Sequence, residues 1–409
     1  MDIPGLPARR AALRMLDGVL HRGETLDQVA HGALQGIRGE ADRALARALA
    51  AEALRWLTDL DTLIDSATRL RLADDAKVRS VLRLMLAGWL RLETPPHAVI
   101  ATGLPLLAGG PRRLAHGVFS TLTKRVVTLP AAPSLPPAVA ERWGERAGAI
   151  AAALALPPPL DLSLRDPAET ERWAEELGGV SLLPGHVRLP RGEAIERLAG
   201  FAEGAWWVQD LAASVPARLL GAGEGRRVLD LCAAPGGKTL QLAAAGWQVT
   251  SLDVSAKRME RVRENLERTG LTAEIVVADA LKWEPADKFD AVLLDAPCTA
   301  TGTARRHPDV LHRIGPRQIE EMVELQGRLL ADAQRWVVPG GRLVYAVCSI
   351  EPAEGEAQAT RVSLSAEPIA AAEVPAGVPA PRDNALRTDP GMLAQSGGLD
   401  GFFIARWRA

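Results

Sequence analysis

Between about residue 8 and residue 130, apolar positions recur every three or four residues, the period of helices that each bury one face. "ARRAALRMLDGVL", "ETLDQVAHGAL", "ADRALARALAAEALRWLTDLDTLIDSA", "AKVRSVLRLMLAGWLRLE" and "PPHAVIATGLPLLA" carry this pattern, with Gly and Pro at the joins. It predicts an all-helical bundle over residues 1–130. The period then stops: "TLPAAPSLPPAVA" is Pro-rich and reads as a semi-rigid spacer. "AVAERWGERAGAIAAALAL" reads as a helix that ends at Pro157-Pro158-Pro159. "LDLSLR" suggests a strand, "PAETERWAEELGG" a helix and "VSLLPGHVRL" one or two strands, so residues 131–203 are expected to be a linker with a small α/β piece.

From about Gly225 short apolar runs alternate with helical segments. "RRVLDLC", "WQVTSLDV", "AEIVVAD", "FDAVLLD" and "GRLVYAVCS" read as strands. "GGKTLQLAAAG", "SAKRMERVRENLERTG" and "PRQIEEMVELQGRLLADAQRWV" read as helices, the second capped by Ser255 and stopped at Gly270. The alternation predicts a doubly wound, mostly parallel α/β sheet over residues 204–409.

Composition is that of an ordinary globular chain, 47% apolar and 24% charged. No apolar stretch is long enough to span a bilayer, and "MDIPGLPARRAALRM" lacks the apolar core of a signal peptide, so a cytosolic protein is expected. Three cysteines are too few for a disulfide framework and have no zinc-site spacing; no metal is expected. The net charge of −2 hides an asymmetry: residues 1–130 carry 18 Lys+Arg against 13 Asp+Glu, a net of +5. A mildly basic helical part suits a nucleic-acid partner, although a solvated arginine-rich face is the commoner explanation.

The chemistry concentrates at strand ends. "LDLCAAPGGKT" is a strand, a Gly-rich turn and a helix start, where main-chain N–H groups can approach a ligand. Cys232 stands where a phosphate-binding P-loop needs Gly, and G-x-G-x-x-G is absent, so the loop suits an adenosine-like ligand without a triphosphate. Asp253 ends the next strand, about 20 residues on, where an acid binds ribose hydroxyls. Asp279 ends the third strand and is placed to meet an adenine edge. This is the layout of an S-adenosylmethionine-dependent methyltransferase. Asp295 and Cys298 follow the fourth strand in "LDAPCTATG", and Cys348 follows the fifth in "LVYAVCSIEP". A lone strand-end cysteine is more often a small core residue. An acid and two thiols beside a nucleoside loop suit covalent chemistry instead, because a thiolate adding to carbon 6 of cytosine makes carbon 5 nucleophilic. Spacing does not say which thiol attacks. Arg305, Arg306 and His307 form a basic cluster, read with equal weight as an RNA phosphate contact or a solvated loop.

"LDLCAAPGGKT", "DAPCTATGTARRHPDV" and "VYAVCSIEPAEGE" resemble the Sun-type RNA cytosine-C5 methyltransferases. "GAWWVQDLAASVPARLL" and "DGFFIARW" resemble segments that open and close that family's core, and the helical part is similar to the NusB-like domain of its bacterial 16S ribosomal RNA branch. The resemblance covers nearly the whole chain. It implies a class I S-adenosylmethionine-dependent methyltransferase core behind a NusB-like RNA-binding domain, acting on 16S rRNA; a monomer is expected, although the sequence itself does not give the oligomeric state. It implies Cys348 as nucleophile, Cys298 as the residue assisting product release, and Asp295 and Lys238 as catalytic partners. It places Cys232, Ala233, Ala234, Pro235, Gly236, Gly237, Lys238, Asp253, Arg258, Asp279 and Asp295 around the methyl donor. A tRNA substrate, an inactive RNA-binding or ribosome assembly factor, and a DNA cytosine methyltransferase are the competing readings. The chain departs from the family pattern in Thr299-Ala300 for Ser-Gly, in Val347 for Thr, and in lacking Arg-Val-Asn near "LDLSLRDP".

Overall fold

The computed structural model describes residues 3–190, 192 and 194–409. It divides the chain into two units: residues 1–156 with 304–314, and residues 157–303 with 315–409.

The first unit is helical, as the apolar period predicts. Its main helices are Leu6–Arg22, Leu26–Ala33, Glu40–Arg55, Leu57–Ser66, Lys77–Leu90, Pro96–Gly103 and Gly109–Lys124. The long run expected over "ADRALARALAAEALRWLTDLDTLIDSA" is two helices broken at Trp56, whose backbone leaves the helical region. The core is Leu, Ala and Val with Met15, Trp56 and Phe119 all essentially inaccessible. Lys77–Leu90 is buried on nearly every side, and its Arg79 and Arg83 are therefore neutralised by Asp61 and Asp65 at 2.7–3.1 Å. This unit extends past the expected boundary at 130. The presumed spacer leads into helices Pro137–Trp143 and Ala147–Leu154, separated by the left-handed Gly144, and their buried faces belong to this unit.

The second unit holds two sheets. A three-stranded antiparallel sheet is formed by β1 (Leu160–Leu164), β2 (His186–Leu189) and β3 (Trp206–Val208), in the order β2-β1-β3. The large sheet contains β4 (Arg227–Leu231), β5 (Gln248–Asp253), β6 (Glu274–Val277), β7 (Phe289–Asp295), β8 (Val337–Val347), β9 (Ser365–Ala366), β10 (Ala385–Arg387) and β11 (Phe403–Arg408). Its order is β10-β11-β8-β7-β4-β5-β6, with β9 on β11; β4 to β8 run parallel and β11 is antiparallel. Both faces are covered, so the central strands are continuous apolar runs. Leu229, Val292, Leu294 and Leu343 pack on one side with Leu329 and Leu330 of helix Pro316–Arg335. Val228, Leu293 and Val344 pack on the other with Ala212, Val215 and Leu242. Among the described residues no helix is long and apolar enough to cross a membrane.

The strand order reverses between β4 and β7. That switch point opens a crevice outside the carboxyl ends of the strands. β7 and β8 are neighbours, with Asp295 paired to Ala346, so the stretches carrying Cys298 and Cys348 leave the sheet side by side.

Candidate active site

The loop after β4 is shaped by two left-handed residues. Cys232 sits at φ 61° and Gly236 at φ 103°, and a Cβ on Gly236 would meet Val262 at 3.1 Å. A glycine there lets the chain turn into helix Gly237–Ala244. The first turn of that helix delivers Lys238, which is buried and donates from Nζ to Asp295 Oδ2 at 2.7 Å. Burial acts to lower the Lys238 pKa, but Asp295, through its charge and hydrogen bond, outweighs it with a smaller contribution from Cys348, and the ammonium is held above its ordinary value. The ammonium also lies 5.5 Å from the Phe402 ring centre.

Three of the expected donor-binding residues, Asp253, Arg258 and Asp295, meet this loop or the helix it opens. Asp253 accepts from Ser255 N at 2.9 Å and from Ala234 N at 3.2 Å. Arg258 donates to the Ala234 carbonyl and lies 3.6 Å from Asp253. Asp279, two residues beyond β6, accepts from Leu281 N at 3.1 Å and keeps its carboxylate half-exposed. A Gly-rich turn flanked by carboxylates at the ends of β5, β6 and β7 fits S-adenosylmethionine: acceptors for ribose hydroxyls and an adenine amino group, and negative charge for a sulfonium. Cys232 and Ala233 to Gly237 form the turn itself. Burial pushes the Cys232 thiol up, so it is an uncharged wall of the loop.

Cys298 and Cys348 are brought together, Sγ to Sγ at 3.4 Å. The hydrogen bond to Cys348 and then burial hold the Cys298 thiol well above its ordinary pKa. Behind them three loops meet at main-chain level. Gly302 N donates to the Cys348 carbonyl at 3.0 Å, and Gly401 N donates to the Gly302 carbonyl at 2.9 Å. A Cβ on Gly302 would lie 1.9 Å from the Gly401 oxygen, so only glycine fits. Of the departures from the family pattern, Val347 is a core residue of β8, fully buried opposite Phe403.

The basic cluster falls elsewhere. Residues 304–314 belong to the helical unit, where Arg305 is 1% exposed and its carbonyl accepts from Arg55 at 3.0 Å. Phosphate contact fails for Arg305, because a buried arginine presents no surface to RNA. Arg306 and His307 are half-buried, and His307 Nδ1 lies 3.7 Å from Asp27.

Sequence reading missed two buried acids. Asp230, within β4, accepts from Thr239 Oγ1 at 2.6 Å and is pushed up to about 7, chiefly by burial. An acid in the middle of the apolar run "RRVLDLC" was its signal. Glu354 is fully buried between the two thiol-bearing loops. It lies within "VYAVCSIEPAEGE", but nothing in that stretch shows that its carboxyl is buried or which loops it meets.

Residues 217–408 match the family described as 16S rRNA methyltransferase RsmB/F, and residues 6–106 match the NusB family. The ribosomal RNA small subunit methyltransferase B of Pseudomonas putida is 34% identical over 437 residues, covering 97% of each chain. That of Xanthomonas campestris pv. campestris is 34% identical over 379 residues, covering 87% of each. Among solved structures, PH0851 shares the fold at a TM-score of 0.73, with 22% identity and 99% of each chain covered.

Proposed function

The chain belongs to the 16S rRNA methyltransferase RsmB/F family, and from that premise we propose that it methylates carbon 5 of a cytosine in 16S rRNA, with Cys348 as nucleophile and Cys298 assisting release. The carrying observation is the pair of thiols 3.4 Å apart at adjoining strand ends, beside the Lys238–Asp295 pair.

Carbon 5 of cytosine does not attack a methyl group unaided. The Cys348 sulfur adds to carbon 6, and the ring electrons pass to carbon 5 and N3. The Cys348 proton passes through Asp295 to N3, where it meets the developing negative charge, and it returns when the adduct breaks; Lys238 holds that carboxyl in place. Bound S-adenosylmethionine supplies an electrophilic methyl group. Afterwards a base takes the carbon-5 proton, the bond from carbon 6 to sulfur breaks, and the electron pair returns to Cys348. Cys298, still protonated because burial and its neighbour raise its pKa, donates to the departing thiolate. The target base must leave its stack to reach thiols recessed at strand ends.

Labelled S-adenosylmethionine, unmodified 16S rRNA and a tRNA pool test this with wild type, Cys298→Ala and Cys348→Ala. The expected result is label in 16S rRNA with wild type, a denaturation-resistant RNA adduct in Cys298→Ala alone, and neither in Cys348→Ala. Label confined to tRNA overturns the substrate, and an adduct in Cys348→Ala overturns the thiol roles.

A further inference from the structure

We propose that Glu354 is a positioning residue that sets the distance between the two thiols. The inference rests on the two-thiol reading above. Glu354 is fully buried, and both carboxylate oxygens are occupied by donors from the loops that follow β7 and β8. Oε2 accepts from Thr299 N and from Gln326 Nε2, each at 2.9 Å. Oε1 accepts from Ser349 Oγ at 2.7 Å and from Thr299 Oγ1. Thr299 directly follows Cys298, and Ser349 directly follows Cys348. One carboxylate thus grips the residue after each thiol.

The grip is itself held. Gln326, on helix Pro316–Arg335, also donates to the Pro297 carbonyl at 2.8 Å, one residue before Cys298. Tyr345 Oη, in β8, donates to the Glu354 carbonyl at 2.7 Å. Thr301 Oγ1 lies 3.2 Å from Ser349 Oγ and accepts from Ile350 N at the same distance. Backbone on both sides of Cys298 and the side chain that follows Cys348 are therefore referred to one buried group. A buried carboxylate is costly unless donors surround it. An apolar side chain would fill the space but would bind neither loop. A glutamine keeps a carbonyl acceptor for Thr299 N and Gln326, but its N–H groups force the Ser349 and Thr299 hydroxyls to accept instead of donate, and the charge-assisted bonds to both loops are lost. A small displacement of reacting groups lowers rate without lowering ground-state affinity.

The test compares wild type with Glu354→Gln and, as milder changes, Ser349→Ala and Thr299→Val. Two quantities are read on the full-length protein. The first is methyl transfer to 16S rRNA, resolved into kcat and KM. The second is the rate at which diamide, a thiol oxidant, joins Cys298 to Cys348, followed by mass spectrometry of the peptides. Expected in Glu354→Gln are a kcat fall of roughly tenfold or more with KM within about twofold, and a slower Cys298–Cys348 cross-link. Ser349→Ala and Thr299→Val should show smaller losses of the same kind, which settles the matter if Glu354→Gln does not fold. An unchanged cross-linking rate overturns the proposal whatever kcat does, and so does slower cross-linking with wild-type kcat. Cross-linking needs no RNA. A wild type that methylates neither 16S rRNA nor tRNA would sink the proposed function, while the cross-link comparison still judges Glu354.

Discussion

Ala300 stands where the family pattern has glycine, and its φ is 57°, a left-handed conformation that costs an L-residue roughly 1–2 kcal/mol. Gly there loses more entropy on folding, so Ala300→Gly is expected to stabilise the protein by only about 0.5–1 kcal/mol, read as a higher denaturation midpoint. Asp230 yields a pH prediction. Its folded pKa of about 7 lies above the unfolded value of about 3.9, so between those values the folded state holds the extra proton. Stability therefore falls as pH rises through that window, by up to about 1.4 kcal/mol per unit from this group. Asp230→Asn keeps an acceptor for Thr239 and should flatten the decline of Tm between pH 5 and 7; an unchanged slope would remove Asp230 as its source. These two residues also show what was legible in the chain. The thiols, Lys238 and the strand-end acids were visible because each ends an apolar run or sits in a Gly-rich turn. Glu354 was not, because its partners lie 5 to 55 residues away and meet only when β7 and β8 pair.

At the scale of elements, short apolar runs located β4 to β8, since strands buried on both faces are the plainest signal a chain carries, whereas β11 was placed only through the family resemblance. Local pattern failed where context decides: the break at Trp56, and the basic cluster, which has the composition of a surface loop yet folds Arg305 inside. The helix Ala256–Thr269 begins with Ser255 accepting from Arg258 N at 3.3 Å and ends at the left-handed Gly270, as read from the sequence. Ser255→Ala should cost about 1 kcal/mol in stability. It should leave cofactor affinity little changed, because Asp253 is held by Ser255 N rather than by the hydroxyl. Gly236→Ala is expected to do the opposite kind of damage. A side chain at φ 103° against Val262 displaces the turn, so S-adenosylmethionine affinity measured by calorimetry should fall at least about tenfold.

At the scale of the whole molecule, the helical unit is made of two pieces of chain. Residues 304–314 supply the Arg305 carbonyl to buried Arg55, and His312 Nε2 lies 2.6 Å from the Leu54 carbonyl. A fragment ending at residue 156 loses both partners. A buried polar group left unsatisfied costs about 1–3 kcal/mol. Such a fragment should unfold at lower urea concentration than the same fragment mixed with a 304–314 peptide, read by circular dichroism. Equal midpoints would mean that the segment contributes nothing to this unit.

That second piece also imposes a schedule. A translating ribosome makes about 5–20 residues per second, so the 147 residues from 157 to 303 take roughly 7 to 30 seconds to emerge after the first helices are complete. Throughout that interval the nascent helical unit lacks the partners that Arg55 Nη2 and the Leu54 carbonyl find in residues 304–314. The stretch between Cys298 and Cys348 is thus also the stretch that finishes the N-terminal fold, and the first unit begun stays open until more than half of the second has been made.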